Sequence, residues 1–273
     1  MKDPLSNLPK NVGIADFEYR LRSLDQPDSV LHFGGRFVSK KLFLWMKDSP
    51  PAFYAEIGKS SNHFDPYRLI TDHFFCEDAS FCENVLFDGD TKYLANWKKP
   101  LKRSLNDQEK YFEKLGSLVP ERWGVFLGNS TVIRDASAVF FPKNAIVIGN
   151  RGVSGIDGNV ATTLGASIGF DRPFVGILGD LRFLHDSNSS ALFQNMKHPV
   201  FLIVMNNQGG KIFERLPISE KKDLLHKYFV ANHSFSFAGI ASSFQLPYFS
   251  ISHLEDFTKT MKKIHTISQW YNF

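Results

Sequence analysis

Short apolar runs alternate with helix-length segments through the second half of the chain. The runs are Val125–Leu127, Ala145–Ile148, Phe174–Leu178 and Val200–Met205. Each run is apolar throughout, which is typical of strands that are covered on both faces. Helices are expected between them, over Gly158–Gly169 and Asn188–Lys197. Strands that alternate with helices in this way predict an α/β fold with a doubly wound, mostly parallel sheet.

The first half of the chain carries a smaller α/β pattern. A strand is predicted over Ser29–Phe33, a helix over Ser39–Met46 and a second strand over Phe53–Ile57. Asn106 is expected to cap a further helix that begins near Gln108. We therefore divide the chain into a polar N-terminal segment (1–24), part of a middle domain (25–90), a linker with a helix (91–120) and a C-terminally truncated larger domain (121–273).

Composition excludes several classes of protein. The net charge of +4 is too small for the basic face of a nucleic-acid binder. The basic run within 92–103 is interpreted as a solvated face, with a phosphate-binding strip as the alternative. The longest apolar run is far shorter than the ~20 residues that cross a bilayer, and the N-terminus lacks a signal peptide. Two cysteines without metal-ligand spacing indicate a reduced, cytoplasmic chain.

Candidate chemistry follows two of the predicted strands. Asp180 comes directly after one strand, and Asn207 follows the next strand along the chain. In doubly wound sheets, ligands bind at the carboxyl ends of the strands. A carboxylate, an amide oxygen and the backbone carbonyl of Gly209 would form a hard-oxygen site, which suits Mg²⁺ bound together with a diphosphate. Each motif alone is common in turns, but the two together predict a metal site.

Four motifs occur in a distinctive order and spacing. They are Gly128–Asp135, Asn150–Gly158, Gly179–Asp186 and Asn206–Phe213, the last followed by Leu216-Pro217. Together they resemble the 2-succinyl-5-enolpyruvyl-6-hydroxy-3-cyclohexene-1-carboxylate (SEPHCHC) synthases, which are thiamin-diphosphate enzymes of menaquinone and phylloquinone synthesis. Leu181 replaces a glycine of the general thiamin-diphosphate signature, and this departure points to that family. Gly34–Lys40 resembles the family's middle domain more loosely, because Arg36-Phe37 stand where the family usually has Leu-Pro.

The resemblance implies thiamin diphosphate and Mg²⁺ (or Mn²⁺) as cofactors. Asp180, Asn207 and the Gly209 carbonyl would hold the metal. The implied cofactor-binding residues are Ile156, Gly179, Asp180, Leu181, Asn207, Gly209, Gly210 and Ile212. Ile156 would force the cofactor into its bent shape, and it is assigned to catalysis together with Phe213. A plain core position is the alternative for Ile156, Ile212, Phe213 and Leu216.

The resemblance also implies two dicarboxylate substrates, 2-oxoglutarate and isochorismate. The implied substrate-binding residues are Lys40, Ser130, Arg134, Arg151, Phe213 and Leu216. Arginine offers a planar fork that matches a carboxylate. The alternatives are a structural salt bridge for each arginine, a turn cap for Ser130 and a solvated lysine at Lys40, with Lys41 beside it. His185 and Asp186 are expected to begin the helix that follows the metal-binding strand.

The implied reaction is decarboxylation of 2-oxoglutarate and 1,4-addition of the remaining unit to isochorismate, which gives SEPHCHC and CO₂. The family's enzymes also have an N-terminal pyrimidine-binding domain that carries an activating glutamate, and the segment before Ser29 is expected to be too short to be that domain. We therefore expect activity only with a chain that carries that domain, or in a homo-oligomer. A non-catalytic cofactor-binding or dimerisation remnant is the alternative. An acetolactate-synthase-like enzyme is a further one, which Leu181 and the motif at 151–155 disfavour.

Overall fold

The chain forms two compact units, residues 1–104 and 105–273. The computed structural model describes residues 16–35, 37–60, 65–85, 91–99, 101–140 and 142–269. Most of the predicted N-terminal segment, the position of Arg36 and the last four residues therefore lie outside the described part. The boundary between the units falls within the segment predicted as a linker, and the capped helix of that segment belongs to the second unit.

The first unit is built on a parallel sheet. Its elements are α1 (Phe17–Arg20), a 3₁₀ turn (Leu21–Ser23), β1 (Ser29–Phe33), α2 (Lys40–Asp48), β2 (Phe53–Ile57), β3 (Asp72–Phe74), α3 (Asp78–Asn84) and α4 (Thr91–Lys98). β2 pairs in parallel with β1 on one side and β3 on the other. The predictions of β1 and β2 are confirmed. α2 begins one residue later than predicted because Ser39 is its N-cap, accepting a hydrogen bond from the Leu42 N–H at 3.1 Å.

The second unit alternates strands and helices along most of its length. Its elements are α5 (Asp107–Leu118), β4 (Gly124–Leu127), α6 (Thr131–Val139), β5 (Ile146–Ile148), α7 (Asn159–Gly169), β6 (Phe174–Gly179), α8 (Asp180–His185), 3₁₀ segments (Ser187–Asn195, Lys211–Arg215, Pro217–Glu220), β7 (Val200–Met205), α9 (Lys222–Tyr228), α10 (Phe237–Ser243) and α11 (Leu254–Gln269). Asn106 caps α5 as predicted, through a reciprocal capping box with Glu109.

The strands of the second unit form one parallel sheet in the order β5-β4-β6-β7. This arrangement confirms the predicted α/β fold with a parallel sheet. The helix predicted over Asn188–Lys197 is present as a 3₁₀ segment, Ser187–Asn195, so its position is close but its type is wrong, and the short helix α8 before it was not predicted. The segment is rich in serine and asparagine, whose side chains compete with the helical backbone for hydrogen bonds.

The centre of this sheet is closely packed. Val125 and Phe126 of β4 and Phe174 of β6 are fully buried, and Phe174 belongs to a core cluster with residues of α7. Gly124 is required beside it, because a Cβ on Gly124 would lie 2.1 Å from the Phe174 ring. Strands covered on both faces explain the continuous apolar runs in the sequence.

Strand register sets the position of the polar turns. In the parallel ladder, Gly179 at the end of β6 pairs with Met205 at the end of β7. The residues that follow, Asp180 and Asn206-Asn207, therefore emerge side by side at the carboxyl edge of the sheet. The turns after β4 and β5 lie at the same edge, since β4 pairs in parallel with both β5 and β6. Among the described helices, none combines the length and the apolar composition that spanning a lipid bilayer requires.

Candidate functional site

The Asp180 carboxylate organises the turn after β7. Its Oδ2 accepts hydrogen bonds from the backbone N–H of Asn207 at 3.2 Å and of Gly209 at 2.9 Å. Asp180 is 3% exposed, so these bonds are shielded from water. A buried carboxylate needs such donors, because an unpaired buried charge is costly. The two residues predicted as metal ligands beside Asp180 are thus brought to it by its own hydrogen bonds.

The turn itself requires glycine at position 209. Gly209 has φ +143°, and a Cβ there would lie 2.6 Å from the Val230 carbonyl oxygen. Gly210 follows with φ −80° and ψ 55°, the geometry of an inverse γ-turn, in which the Gly209 carbonyl accepts the Lys211 N–H at 3.0 Å. A carbonyl oxygen has two lone pairs, so this bond leaves one available for a ligand.

The donor set at this turn fits a hard divalent cation. Asn207 Oδ1 is buried and makes no hydrogen bond within the described residues. A buried polar atom without a partner calls for a ligand, because its desolvation is otherwise uncompensated. Asn207 Oδ1, the Asp180 carboxylate and the Gly209 carbonyl are all oxygen donors, the type that Mg²⁺ prefers. The described residues hold no cluster of three or more His, Cys, Asp or Glu side chains, so the site depends on this mixed set.

His233 lies next to the Asp180 carboxylate, and the sequence analysis did not identify it as a candidate site residue. Its Nε2 is 3.2 Å from Asp180 Oδ2, and both side chains are 4% exposed. The imidazole packs against the rings of Phe235 and Phe237. Nε2 makes no hydrogen bond with a described residue, so the contact is one of packing and proximity. His233 is far from Asp180 in the chain, and no local pattern marks it.

The turns after β4 and β5 are joined through Asn129. Asn129 is buried, and its Nδ2 donates to the Asn150 carbonyl at 2.7 Å. Its Oδ1 accepts a hydrogen bond from Arg151 Nη1. Arg134, one turn into α6, is exposed and donates from Nη1 to the Ser130 carbonyl at 2.7 Å. The two predicted substrate-binding arginines therefore bond to neutral oxygens at the carboxyl edge of the sheet.

Ser130 occupies an unusual backbone conformation at the start of α6. Its φ is +73° and its ψ is −133°, a region that costs about 1–3 kcal/mol for a residue with a Cβ. Ser130 occupies the N-cap position of α6, but its side chain makes no capping hydrogen bond to the helix. Strained backbone of this kind is concentrated at functional sites, which agrees with a binding role.

Arg182 is a third arginine at this edge, and it was not predicted. It is 7% exposed, and its Nη1 donates to the Gly155 carbonyl in the turn after β5. Burial is the main cause that lowers the pKa of Arg182, and repulsion from Arg134 and then Arg151 lowers it further. The sequence gives no reason to expect Arg182 to be buried, because no apolar pattern marks the short helix α8 that carries it two residues after Asp180.

Comparison with known protein families accounts for this combination of sheet and turns. Residues 128–269 match the family described as "Thiamine pyrophosphate enzyme, C-terminal TPP binding domain". The chain belongs to the thiamine pyrophosphate enzymes. Residues 1–123 of this thiamine pyrophosphate enzyme match a second family, described as "Middle domain of thiamine pyrophosphate".

Curated relatives confirm the resemblance seen in the motifs. A SEPHCHC synthase of Chlorobium phaeobacteroides (strain BS1) is 33% identical over 251 residues, 85% of this chain and 43% of the relative. The enzyme of the same name from Syntrophus aciditrophicus (strain SB) is 36% identical over 257 residues, covering 88% of this chain and 45% of that protein. A third, from Desulfitobacterium hafniense (strain DSM 10664 / DCB-2), is 30% identical over 257 residues, with coverages of 89% and 46%. The chain spans less than half the length of each.

The apolar residues predicted for this thiamine pyrophosphate enzyme's site come from two segments. Ile156 is 42% exposed in the turn between β5 and α7. Ile212 and Phe213 are half-buried on the 3₁₀ segment after β7, and Phe213 packs edge-on against Phe229. Leu216 is 46% exposed at the end of that segment. The exposed positions of Ile156 and Leu216 are inconsistent with the core alternative, so both remain candidate contact residues.

Lys40 and Lys41 differ in their surroundings within the first unit. Lys41 Nζ lies 3.2 Å from a Glu18 carboxylate oxygen and above the Tyr19 ring. Lys40 is exposed at the first position of α2. Lys41 therefore has an acidic partner within the first unit, and the assignment of Lys40 to substrate binding stays a prediction.

His185 and Asp186 stand at the end of α8, so the prediction that they begin the helix after the strand is wrong for α8, although Asp186 is the N-cap residue of the 3₁₀ segment Ser187–Asn195. α8 starts at Asp180, the residue after the strand, and His185 is its last residue. Asp186 Oδ2 accepts the N–H groups of Val160 at 2.6 Å and Ala161 at 3.0 Å, in the first turn of α7. Asp186 therefore has a structural role.

Proposed function

We propose that this chain is the metal- and diphosphate-binding half of a SEPHCHC synthase. The observation that carries the proposal is the buried, unbonded Asn207 oxygen beside the Asp180 carboxylate. The names of the curated relatives support the choice of enzyme within the family. Menaquinone or phylloquinone synthesis in the cytoplasm is the corresponding biological setting.

Three residues would bind the metal ion, Mg²⁺ or Mn²⁺. Asp180, Asn207 and the Gly209 carbonyl would supply oxygen ligands, and the diphosphate of the cofactor would supply others. Gly179, Leu181, Gly210 and Ile212 would line the cofactor around that metal. When bound, thiamin diphosphate supplies the carbon nucleophile and the electron sink for decarboxylation. The protein supplies the position of the cofactor and the charges around it.

Substrate binding would use the arginine-bearing turns at the same edge of the sheet. Arg134 and Arg151 offer planar forks for the carboxylates of 2-oxoglutarate and isochorismate. Ser130 would donate its hydroxyl to a substrate oxygen, and Lys40 is the remaining residue proposed to bind substrate. These contacts would orient two reactants, which is the source of rate gains from proximity.

Apolar residues would shape the other wall of the active site. Phe213 and Leu216 would contact substrate, and Ile156 would hold the bound cofactor in its bent conformation. The proposed reaction converts 2-oxoglutarate and isochorismate to SEPHCHC and CO₂.

The activity would require a second polypeptide region. The matched relatives are more than twice as long as the part that this chain covers. We propose that a chain with a pyrimidine-binding domain, in a homo-oligomer or as a separate partner, supplies the glutamate that activates the cofactor.

Calorimetric titration of thiamin diphosphate into the chain with Mg²⁺ tests the proposal. Asp180→Ala is expected to weaken binding by at least about 100-fold, because groups that merely support metal ligands already change affinity by about 10- to 100-fold. Asp180→Asn, which keeps the shape of the side chain, should lose most of the affinity too. Asp171→Ala is the control, since Asp171 is exposed and pairs with Lys197 and His198 away from the turn.

Unchanged affinity in both Asp180 variants would refute the metal assignment. Loss of binding in the Asp171 variant as well would show that the assay reports folding instead of the site. A wild-type chain that binds no cofactor would refute the proposed function altogether.

A further inference from the structure

Arg182 is a buried cation whose charge the fold leaves uncompensated. Its side chain is 7% exposed, and its hydrogen bond goes to a neutral carbonyl, that of Gly155. Within the described residues, no carboxylate forms a salt bridge with Arg182. Arg134 and Arg151 are further cations at the same edge of the sheet, where they bond to the Ser130 carbonyl and to Asn129 Oδ1. A buried charge is costly unless it is paired, so a negatively charged group is expected to complete this arrangement.

The direction of Arg182 separates it from the metal site. Residues two positions apart on a helix point about 200° apart around its axis. Asp180 faces the turn after β7, where it binds the N–H groups of Asn207 and Gly209. Arg182 faces the opposite way, toward Gly155 after β5, and its Cδ lies 3.4 Å from where a Cβ on Gly128 after β4 would be. Arg182 therefore belongs to the side of the edge that holds Arg134 and Arg151.

This position decides between two sources of negative charge. The cofactor diphosphate would lie with the metal, on the β7 side of α8. An organic substrate would lie with the predicted substrate-binding arginines, on the β4 and β5 side. Arginine has five N–H donors in a planar fork, and one bond to Gly155 leaves others for a carboxylate.

We propose that Arg182 is a third substrate-binding arginine, which together with Arg134 and Arg151 binds the carboxylates of a dicarboxylic 2-oxo acid. The inference rests on the proposed function and adds a residue that determines substrate specificity. Three cations at one edge favour a substrate with two carboxylates over a monocarboxylic 2-oxo acid such as pyruvate.

Calorimetric titration of 2-oxoglutarate into the full chain, saturated with thiamin diphosphate and Mg²⁺, tests the inference. Arg182→Gln is expected to weaken 2-oxoglutarate binding by about tenfold or more, the effect of losing charge-assisted hydrogen bonds. Its affinity for thiamin diphosphate with Mg²⁺ should stay within about twofold of wild type. Arg182→Lys keeps the positive charge but loses the planar guanidinium group, so its affinity for 2-oxoglutarate should lie between those of wild type and Arg182→Gln. Arg172→Gln is the matched control, since Arg172 bonds to backbone carbonyls at the opposite edge of the sheet.

Thermal melting gives a second, independent measurement. Without ligand, Arg182→Gln should melt no lower than wild type, because it removes a buried charge whose hydrogen bond goes to a neutral carbonyl. Added 2-oxoglutarate should raise the melting temperature of wild type and of Arg172→Gln, and raise that of Arg182→Gln less. A structural role alone would instead lower the melting temperature of the ligand-free variant.

Each other outcome has a defined meaning. Equal losses for 2-oxoglutarate and thiamin diphosphate in Arg182→Gln would assign the arginine to the diphosphate or to folding and overturn the inference. Unchanged 2-oxoglutarate binding would overturn it as well. A wild-type chain that binds the cofactor but not 2-oxoglutarate overturns this inference alone, whereas one that binds neither overturns the proposed function.

Discussion

Asp135 shows how burial changes the behaviour of one carboxyl group. It is 4% exposed on α6, where Arg215 lies 3.1 Å from its Oδ1 and 3.4 Å from its Oδ2. Burial nevertheless raises the pKa of Asp135, although the Arg215 hydrogen bond acts to lower it, and the charge of Glu109 adds to the rise. The cost of desolvation therefore exceeds the gain from the partner.

The raised pKa predicts a pH-dependent contribution to stability. An acid whose pKa is raised by folding stabilises the protein fully below its unfolded pKa of 3.8, and loses that contribution as pH rises through the folded value. As pH falls from 7 to 4, the wild type should gain stability relative to Asp135→Asn. Urea unfolding across this range measures the difference, with Asp223→Asn as an exposed control. If the wild type instead lost stability relative to Asp135→Asn as pH falls, the ion pair with Arg215 would have a larger effect on the pKa of Asp135 than burial has.

The positions of the candidate metal ligands could be predicted from the sequence, whereas the buried residues around them could not. Asp180, Asn207 and Gly209 follow two apolar runs, so their position at the strand ends can be read from the chain. His233 and Arg182 carry no such pattern, because their burial depends on segments remote in sequence.

At the scale of elements, α7 depends on a cap from another part of the chain. Its N-cap residue is Gly158, which has φ +62° and no side chain to accept the first N–H groups. Asp186, after α8, accepts the N–H groups of Val160 and Ala161 instead, and its Oδ1 accepts the Ser189 hydroxyl at 2.6 Å. An acidic side chain at a helix N-terminus is also favoured by the helix dipole.

Removing this cap should destabilise the fold. Asp186→Ala leaves two buried or half-buried N–H groups without an acceptor, which costs about 1–3 kcal/mol. The free energy of unfolding measured by urea denaturation should fall by that amount. Asp256→Ala, at the exposed start of α11, should change it little. An equal effect in both variants would show that the cap contributes nothing specific.

At the scale of the whole molecule, the central question is whether this chain can act alone. The candidate metal ligands Asp180, Asn207 and Gly209 and the three arginines all belong to the second unit. The proposed activating glutamate belongs to the pyrimidine-binding domain of another chain. We expect no turnover of 2-oxoglutarate and isochorismate by the chain alone, even when it binds cofactor.

An activity assay on this chain mixed with a separate pyrimidine-binding domain tests this expectation. Adding the pyrimidine-domain half of a related SEPHCHC synthase should produce CO₂ from 2-oxoglutarate in an isochorismate-dependent manner. The same half with its activating glutamate replaced by glutamine is the control and should give none. Cofactor binding without activity in any mixture would favour a non-catalytic binding fragment over a synthase subunit.

The sequence by itself determined the parallel sheet and the position of the turns that hold the candidate metal ligands. The apolar composition of runs such as Phe174–Leu178 already predicts that they are buried strands. Asp180 and Asn207 each follow such a run after one intervening residue. The tertiary structure decided the role of Asp186, the pairing of Lys41 with Glu18 and the burial of Arg182. Local pattern reports which face of a segment is apolar, whereas the partner of a polar side chain depends on how distant segments pack.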